Sequence, residues 1–323
     1  MNILVTGGAG FIGSHLVDRL LDDGHAVTVL DNLSTGRESN LAAHVGHARL
    51  RFLRGSILDA TLVGAVMPGI DVVYHLAAAV GVGHVVKDPL WTAATNARGT
   101  EIVLEQARAC GARVVFASTS EIYGISDALP YREDGPRVLG PTWVHRWSYS
   151  TAKALGEHLC FAHADRGLAV SIVRYFNTYG PRMDPAGYGS VVARFVSQAL
   201  DGVPLTVHGD GAQVRCFTFV TETVDATVRA GTLDAALGQA FNVGSPFQTT
   251  IGDLARLIIE LTGSPSAVGH VDYAAAYGAG FADTRTRVPD VSKAAALLGW
   301  RAGISLREGL AHVIAERRNM ETG

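Results

Sequence analysis

The chain has 323 residues, a near balance of 27 Lys and Arg against 30 Asp and Glu, and 48% hydrophobic residues. That apolar fraction with so little net charge excludes a disordered chain, and the lack of a basic excess argues against a nucleic-acid partner. Three widely spaced cysteines, Cys110, Cys160 and Cys216, exclude a disulfide framework and point to a reducing, cytoplasmic compartment.

In chain order, Ile3–Thr6, Ala26–Leu30, Leu50–Leu53, Asp71–His75 and Arg113–Ala117 read as strands. Their apolar residues are nearly continuous, as in a parallel sheet covered on both faces. Phe11–Leu21, Leu58–Val66 and Pro89–Ala109 read as the intervening helices, so the order is that of a doubly wound α/β sheet. A helix at Ser148–Ala164 and a strand at Ala169–Arg174 continue the pattern. Shorter elements follow at Val191–Leu200, Leu205–Val207, Arg215–Val220 and Ala240–Val243. Ile251, Leu254, Ala255, Ile258 and Leu261 then make one helical face, capped by Thr249 or Thr250. The expected division is a dinucleotide-binding domain over 1–178 and a smaller, partly interleaved α/β substrate domain over 179–323. No apolar run reaches the roughly 18 residues of a membrane span. Met1-Asn2-Ile3-Leu4-Val5 enters a strand directly, so no signal peptide is expected.

Two local patterns carry chemistry. Strand Ile3–Thr6 runs into Gly7, Gly10 and Gly13, spaced G-x-x-G-x-x-G ahead of a helix. A pyrophosphate on a helix N-terminus needs that turn without Cβ atoms. Asp31 ends the second strand about 20 residues on, where a carboxylate takes ribose hydroxyls and repels a 2′-phosphate; NAD is favoured over NADP, with Arg37 nearby as a counter-signal. The second pattern is Tyr149-Ser150-Thr151-Ala152-Lys153, whose i, i+4 spacing puts phenol and ammonium on one helical face. The ammonium is expected to lower the phenol pKa below about 10, making Tyr149 a base. Among twelve histidines, the pairs His44/His47 and His158/His163 lack a third ligand, so no metal is expected. Glu101 and Glu157 read as solvated or partner-facing helix positions.

With Ser118-Thr119-Ser120-Glu121-Ile122-Tyr123-Gly124 added, the chain resembles the extended short-chain dehydrogenase/reductase family of nucleotide-sugar epimerases, dehydratases and decarboxylases. The resemblance runs nearly end to end, through His75-Leu76-Ala77-Ala78, Asn96, Arg174-Tyr175-Phe176-Asn177, Gly209-Asp210-Gly211, Arg215 and Arg287 to Lys293. It implies a Rossmann fold and NAD+ reduced and reoxidised within each turnover. Phe11, Ile12, Asn32, Ser56, Ile57, Leu76, Ala77, Ala78, Asn96, Ser118 and Tyr175 join the glycines, Asp31, Tyr149 and Lys153 as implied cofactor residues. Ser56 departs from the Asp usual in the family. On the substrate side the resemblance implies Arg146, Asn177, Val191, Thr206, His208, Arg215 and Arg287. Arg215 and Arg287 would grip the diphosphate, and His208 would stack on the base. Thr119 would bind the sugar O4 region beside Tyr149.

Thr119-Ser120-Glu121 and Arg146 resemble UDP-glucuronate decarboxylases, in which Glu121, Ser120 and Arg287 would hold and reprotonate an enolate. Dehydratases carry Asp where Ser120 stands. Against this, Ser190 stands where decarboxylases often have Arg, and the Gly187-Tyr188-Gly189 pattern resembles 4-epimerases. UDP-glucuronate decarboxylation is the leading expectation and UDP-hexose or UDP-hexuronate 4-epimerisation the alternative. A non-catalytic NAD(P)-sensing regulator is the remote one, since such proteins lack the Tyr/Lys pair. The resemblance also implies a homodimer built on helices Pro89–Ala109 and Ser148–Ala164, with Ala93, Ala94, Ala97, Val103 and Leu104 as candidate contacts.

Overall fold

The computed structural model describes residues 1–80, 88–185, 191–273, 275 and 284–322. The first half alternates β1 (Asn2–Thr6), α1 (Phe11–Asp22), β2 (Ala26–Asp31), β3 (Leu50–Arg54), α2 (Ala60–Val66), β4 (Val72–His75), α3 (Pro89–Cys110), β5 (Arg113–Thr119), α4 (Arg146–Ala164) and β6 (Val170–Tyr175). The second half adds β7 (Thr178–Tyr179), α5 (Val191–Leu200), β8 (Leu205–His208), β9 (Val214–Cys216), β10 (Thr218–Phe219), α6 (Val220–Thr232), β11 (Ala240–Val243), β12 (Gln248–Thr250), α7 (Ile251–Thr262), β13 (Val268–Val271), β14 (Thr286–Arg287), α8 (Ser292–Leu298) and α9 (Leu306–Thr322).

Local chemistry sets the helix ends. The Asp88 carboxylate accepts from Trp91 N–H ahead of Pro89, and α3 stops at Gly111 in the left-handed region. Thr250 caps α7 by accepting from Asp253 N–H, and Gly263 ends it in the same way.

Seven parallel strands form the central sheet in the order β11-β6-β5-β4-β1-β2-β3. The chain runs outward from β1 in one direction and, after β3, from β4 in the other. The crevice between the carboxyl ends of β1 and β4 is thus the switch point where such sheets bind ligands. Strand side chains alternate between two cores. Ile3, Val5, Val29, Tyr74, Val173 and Phe241 pack with α1, α6 and α8 on one face. Leu4, Leu30, Val73, Phe116 and Ile172 pack with α2, α3 and α4 on the other. A third cluster joins Phe195 and Val196 of α5, Leu254 and Ile258 of α7, and Leu310 and Val313 of α9. No helix among the described residues is long and apolar enough to cross a membrane.

Several elements differ from expectation. Arg215–Val220 is not one strand. β9 pairs with β12 and β14, β10 pairs with β7, and Val220 already begins α6. Val103 and Leu104 lie inside the core under α3, because their stripe of the helix faces the sheet; Ala93 and Ala94 face outward. Glu157 is buried, only 6% exposed, because it continues the inward i, i+4 row of Tyr149 and Lys153.

The second half completes the sheet of the first: β11 pairs with β6, and α6 covers the face that includes Tyr74. A 1–178 fragment is therefore expected to leave one face of β6 and β4 bare. Such a fragment, followed by circular dichroism and tryptophan fluorescence during heating, should retain helical signal without a cooperative melt.

Candidate active site

A cavity of about 320 Å³ opens at the switch point. Its floor is the glycine turn. Gly7 has φ of +74°, and a Cβ there would stand 2.7 Å from the Ala77 nitrogen. A Cβ at Gly13 would collide with the Gly7 carbonyl oxygen. Gly7, Gly10, Phe11, Ile12 and Gly13 all line the cavity. Hence α1 begins with free N–H groups at the backbone surface, the arrangement that holds a pyrophosphate.

Asp31 stands at the rim, where its carboxylate accepts from Ala9 N–H at 2.9 Å and Leu33 N–H at 2.8 Å. Burial raises its pKa, and these two donors oppose the rise. Asn32 lines the same end, with Ser34 and Thr35, which sequence reasoning passed over although they follow Asp31 directly. Arg37 is engaged with Asp184 at 2.6 Å. Ile57 lines the cavity, whereas Ser56 does not; the Ser56 hydroxyl accepts from Leu58 N–H and shapes the turn instead.

The opposite wall, Leu76, Ala77 and Ala78, is fixed by a buried relay. The Thr100 hydroxyl donates to the Asn96 carbonyl at 2.7 Å, which leaves its lone pair to accept from His75 Nε2 at 3.1 Å. His75 Nδ1 is then the acceptor for the Thr6 hydroxyl at 2.7 Å, and Thr6 Oγ1 accepts from Ala77 N–H at 3.2 Å. Burial, aided by Lys153, pulls His75 down to about 3, so the ring is neutral. Asn96 does not reach the cavity. Its side-chain amide is spent on both backbone groups of Ala79, so it builds the wall from behind.

At the carboxyl end of β5, Ser118 and Thr119 meet Tyr149 and Lys153 from α4, and Tyr175 closes the same wall. The Thr119 and Tyr149 hydroxyls are hydrogen-bonded. Lys153 Nζ donates to the Ala117 carbonyl at 2.8 Å and lies 4.8 Å from the Phe116 ring centroid. Burial brings Lys153 down to about 8, against upward pulls from Cys160 and Glu157. The expected lowering of the Tyr149 pKa is absent from the protein by itself. Burial pushes the phenol above its ordinary value, the Glu121 charge pushes the same way, and only the Thr119 bond opposes. The physical reason is that the Lys153 ammonium is bonded to a backbone carbonyl while the phenol is desolvated.

Beyond the phenol lies a charged pocket. Arg287 Nη1 bonds Glu121 Oε1 at 3.0 Å. Burial would raise the Glu121 pKa, but Arg287, Arg146 and Arg215 together hold it down at about 2. Ser120 is buried beside it. Arg146 and Arg215 are likewise buried. Asn177 has φ of +42°, unusual for a non-glycine residue, and its amide donates to the Cys216 carbonyl at 2.9 Å. Thr206 is tied to Gln198 of α5, and the His208 carbonyl accepts from Gln213. Val191 is half-buried at the start of α5. Gly187-Tyr188-Gly189-Ser190 lies outside the described residues. Thr95, Thr178 and Met183 also line the cavity; no residue pattern singled them out.

The glycine turn, the rim carboxylate and the Tyr/Lys pair fit a dinucleotide by their own geometry. Residues 3–244 match the model of the NAD dependent epimerase/dehydratase family, and the chain belongs to that family. It is an enzyme of that class, with NAD as cofactor. It is 40% identical over 319 residues, 98% of each chain, to the UDP-N-acetyl-alpha-D-glucosaminuronate decarboxylase of Bacillus cytotoxicus. It is 37% identical to UDP-glucuronic acid decarboxylase 1 of Xenopus tropicalis, over 95% of this chain and 70% of that one. Among solved structures it resembles the UDP-glucose 4-epimerase of Thermotoga maritima, with a TM-score of 0.90, 34% identity, and coverage of 99% and 100% of the two chains.

Without cofactor, Tyr149 is expected to stay protonated past the ordinary phenol pKa of about 10. A cation bound beside it favours the phenolate, so adding NAD+ should move tyrosinate absorbance to lower pH. The check is an ultraviolet pH titration of wild type minus Tyr149→Phe, with and without NAD+.

Proposed function

We propose that this chain is an NAD+-dependent decarboxylase of a UDP-hexuronate, with UDP-glucuronate as the leading substrate, acting in the cytoplasm. The observation that carries this reading is the buried Glu121–Arg287 pair, flanked by Arg146 and Arg215, immediately beyond Tyr149. The diphosphate that every UDP-sugar carries accounts for two of the three guanidinium groups; a C6 carboxylate gives the third an anionic partner that a neutral hydroxymethyl group would not. The decarboxylase relatives support the reading, and they differ from one another in the C2 substituent that their names imply.

When bound, NAD+ accepts the C4 hydride and later returns it. Tyr149 takes the O4 proton, and Thr119, bonded to the phenol, holds O4 in line. The sugar is then a β-keto acid. The C5–C6 bond breaks, its electron pair moves onto the C4 carbonyl as an enolate, and CO2 leaves. Arg287 anchors the carboxylate before that step. Glu121 is anionic in the resting site, so the proton delivered to C5 comes from water held by Glu121 and Ser120, not from a resting carboxylic acid. Return of the hydride to C4, with Tyr149 handing its proton back to O4, completes the turnover. If hydride instead returned to the other face with CO2 retained, the same residues would run a 4-epimerase. The likeness to the Thermotoga maritima enzyme favours that second reading.

The test is mass spectrometry of UDP-glucuronate and its 2-acetamido counterpart after incubation with the protein and NAD+. Loss of CO2 from either is expected; unchanged mass with a new retention time would replace the proposal by 4-epimerisation. Tyr149→Phe should lower kcat at least about 100-fold while NAD+ still binds. Glu121→Gln should still form NADH and release CO2 in a single turnover but lower the steady-state rate by a similar factor, because the proton reaches C5 slowly.

We also propose a homodimer across α3 and α4. Outward Ala93 and Ala94 on α3 and Leu155 and Phe161 on α4 would supply the four-helix contact. Light scattering should give twice the 34.0 kDa chain mass, and Leu155→Glu should halve it.

A further inference from the structure

Glu157 and Arg174 take no part in the chemistry above, yet they form a buried ion pair directly behind the cavity wall. Their side chains are 7% and 8% exposed. Glu157 Oε1 accepts from the Ser118 hydroxyl at 2.5 Å and from Arg174 Nε at 2.9 Å; Oε2 accepts from Arg174 Nη2 at 2.6 Å. Arg174 Nη1 donates to the Tyr123 hydroxyl at 2.8 Å and to the Glu133 carbonyl at 2.9 Å. Tyr123 donates onward to Asn242 Oδ1 at 2.7 Å, and the Asn242 amide donates to the Tyr131 and Asp290 carbonyls. A continuous set of bonds therefore ties the α4 carboxylate to β5, β6, the loop before α4 and β11.

Burying two charges gains little net stability, and an apolar pair of the same volume commonly does as well. What the pair supplies here is direction. A forked guanidinium locks the carboxylate in one plane, and the carboxylate can only accept. The Ser118 proton is thereby committed to Glu157. Ser118 lines the cavity next to Tyr149 and Lys153, and a hydroxyl whose proton is committed to Glu157 has only lone pairs left to offer a ligand there.

We propose that Glu157 is a positioning residue for the cofactor. By taking the Ser118 proton it makes that hydroxyl an obligate acceptor, which selects a hydrogen-bond donor, a ribose hydroxyl or amide N–H, on the end of the dinucleotide nearest Tyr149. Arg174 keeps Glu157 in place. This rests on NAD as the cofactor and not on the identity of the sugar, so failure of the decarboxylation assay would leave its test intact.

The test is titration of nucleotide-depleted protein with NAD+ and, separately, with ADP, which lacks the reactive half of the dinucleotide. Glu157→Gln places an amide nitrogen against the Arg174 donors and frees Ser118 to rotate. Its NAD+ Kd should rise about tenfold, the equivalent of one charge-assisted hydrogen bond. Ser118→Ala should show the same rise, and the double variant no further loss, because both changes remove one interaction. ADP affinity should stay within about twofold in all three. Equal weakening toward ADP and NAD+ would show a merely structural role and overturn the proposal, as would losses that multiply in the double variant. If Glu157→Gln does not fold, Ser118→Ala alone decides: NAD+ binding at wild-type strength removes the acceptor on which the proposal stands.

Discussion

The site depends on how closely three backbone segments approach one another where the sheet reverses direction. The turn after β1, the start of α1 and the loop after β4 meet at distances that exclude side chains at Gly7 and Gly13. That contact aims the first N–H groups of α1 into the crevice and sets how far away every other wall must stand. The Thr6–His75–Thr100 relay makes the contact rigid from below, since each hydroxyl and ring nitrogen has a single consistent role in it. The neutral imidazole is a structural strut, and its burial suits that task because a charged ring would be expelled or repel Lys153.

From that fixed floor the two chemical regions differ in character. The cofactor side is mostly backbone and small apolar side chains, with one carboxylate at its rim. The region beyond Tyr149 is built from ions: Glu121 is surrounded by guanidinium groups that hold its carboxyl well below the ordinary carboxylate range. Tyr149 sits at the border, and the two sides pull on it in opposite senses. The carboxylate beyond it and its own burial favour the protonated phenol, and a cationic ring bound beside it would pull the other way. Proton abstraction by Tyr149 is thereby coupled to the charge of whatever fills the cavity beside it.

The first half of the fold was legible because parallel strands covered on both faces read as apolar runs, and glycine spacing marks a turn by steric necessity. The second half was legible in part: Val191–Leu200, Leu205–Val207, Ala240–Val243 and the Thr250-capped helix from Ile251 all stand where expected, while the segment between Arg215 and Thr232 does not. α6 has the sequence of a strand: Val220, Thr221, Thr223, Val224, Thr227 and Val228 are β-branched, yet they form a helix because one face packs on α1 and the sheet. α8 is only seven residues long, whereas α9 carries Leu306, Leu310, Val313 and Ile314 at helical spacing, a signal that was readable and was passed over. Within the site, Gly7 to Gly13, Asp31, Tyr149 and Lys153 were readable from spacing alone. Arg146, Arg215 and Arg287 entered only through resemblance, since nothing local says that residues so far apart will surround one carboxylate. Glu157 was misread as surface. The 149, 153, 157 row was visible in the sequence; that its third member found Arg174 and Ser118 depended on β5 and β6 lying side by side.

The insertion of β11 beside β6 has a consequence for how the molecule is made. Strands from both ends of the order must be present before the sheet is complete, and β11 leaves the ribosome some 70 residues after β6. Throughout that interval the nascent chain carries an open strand edge and an uncovered apolar face, the two features that recruit chaperones or seed aggregation.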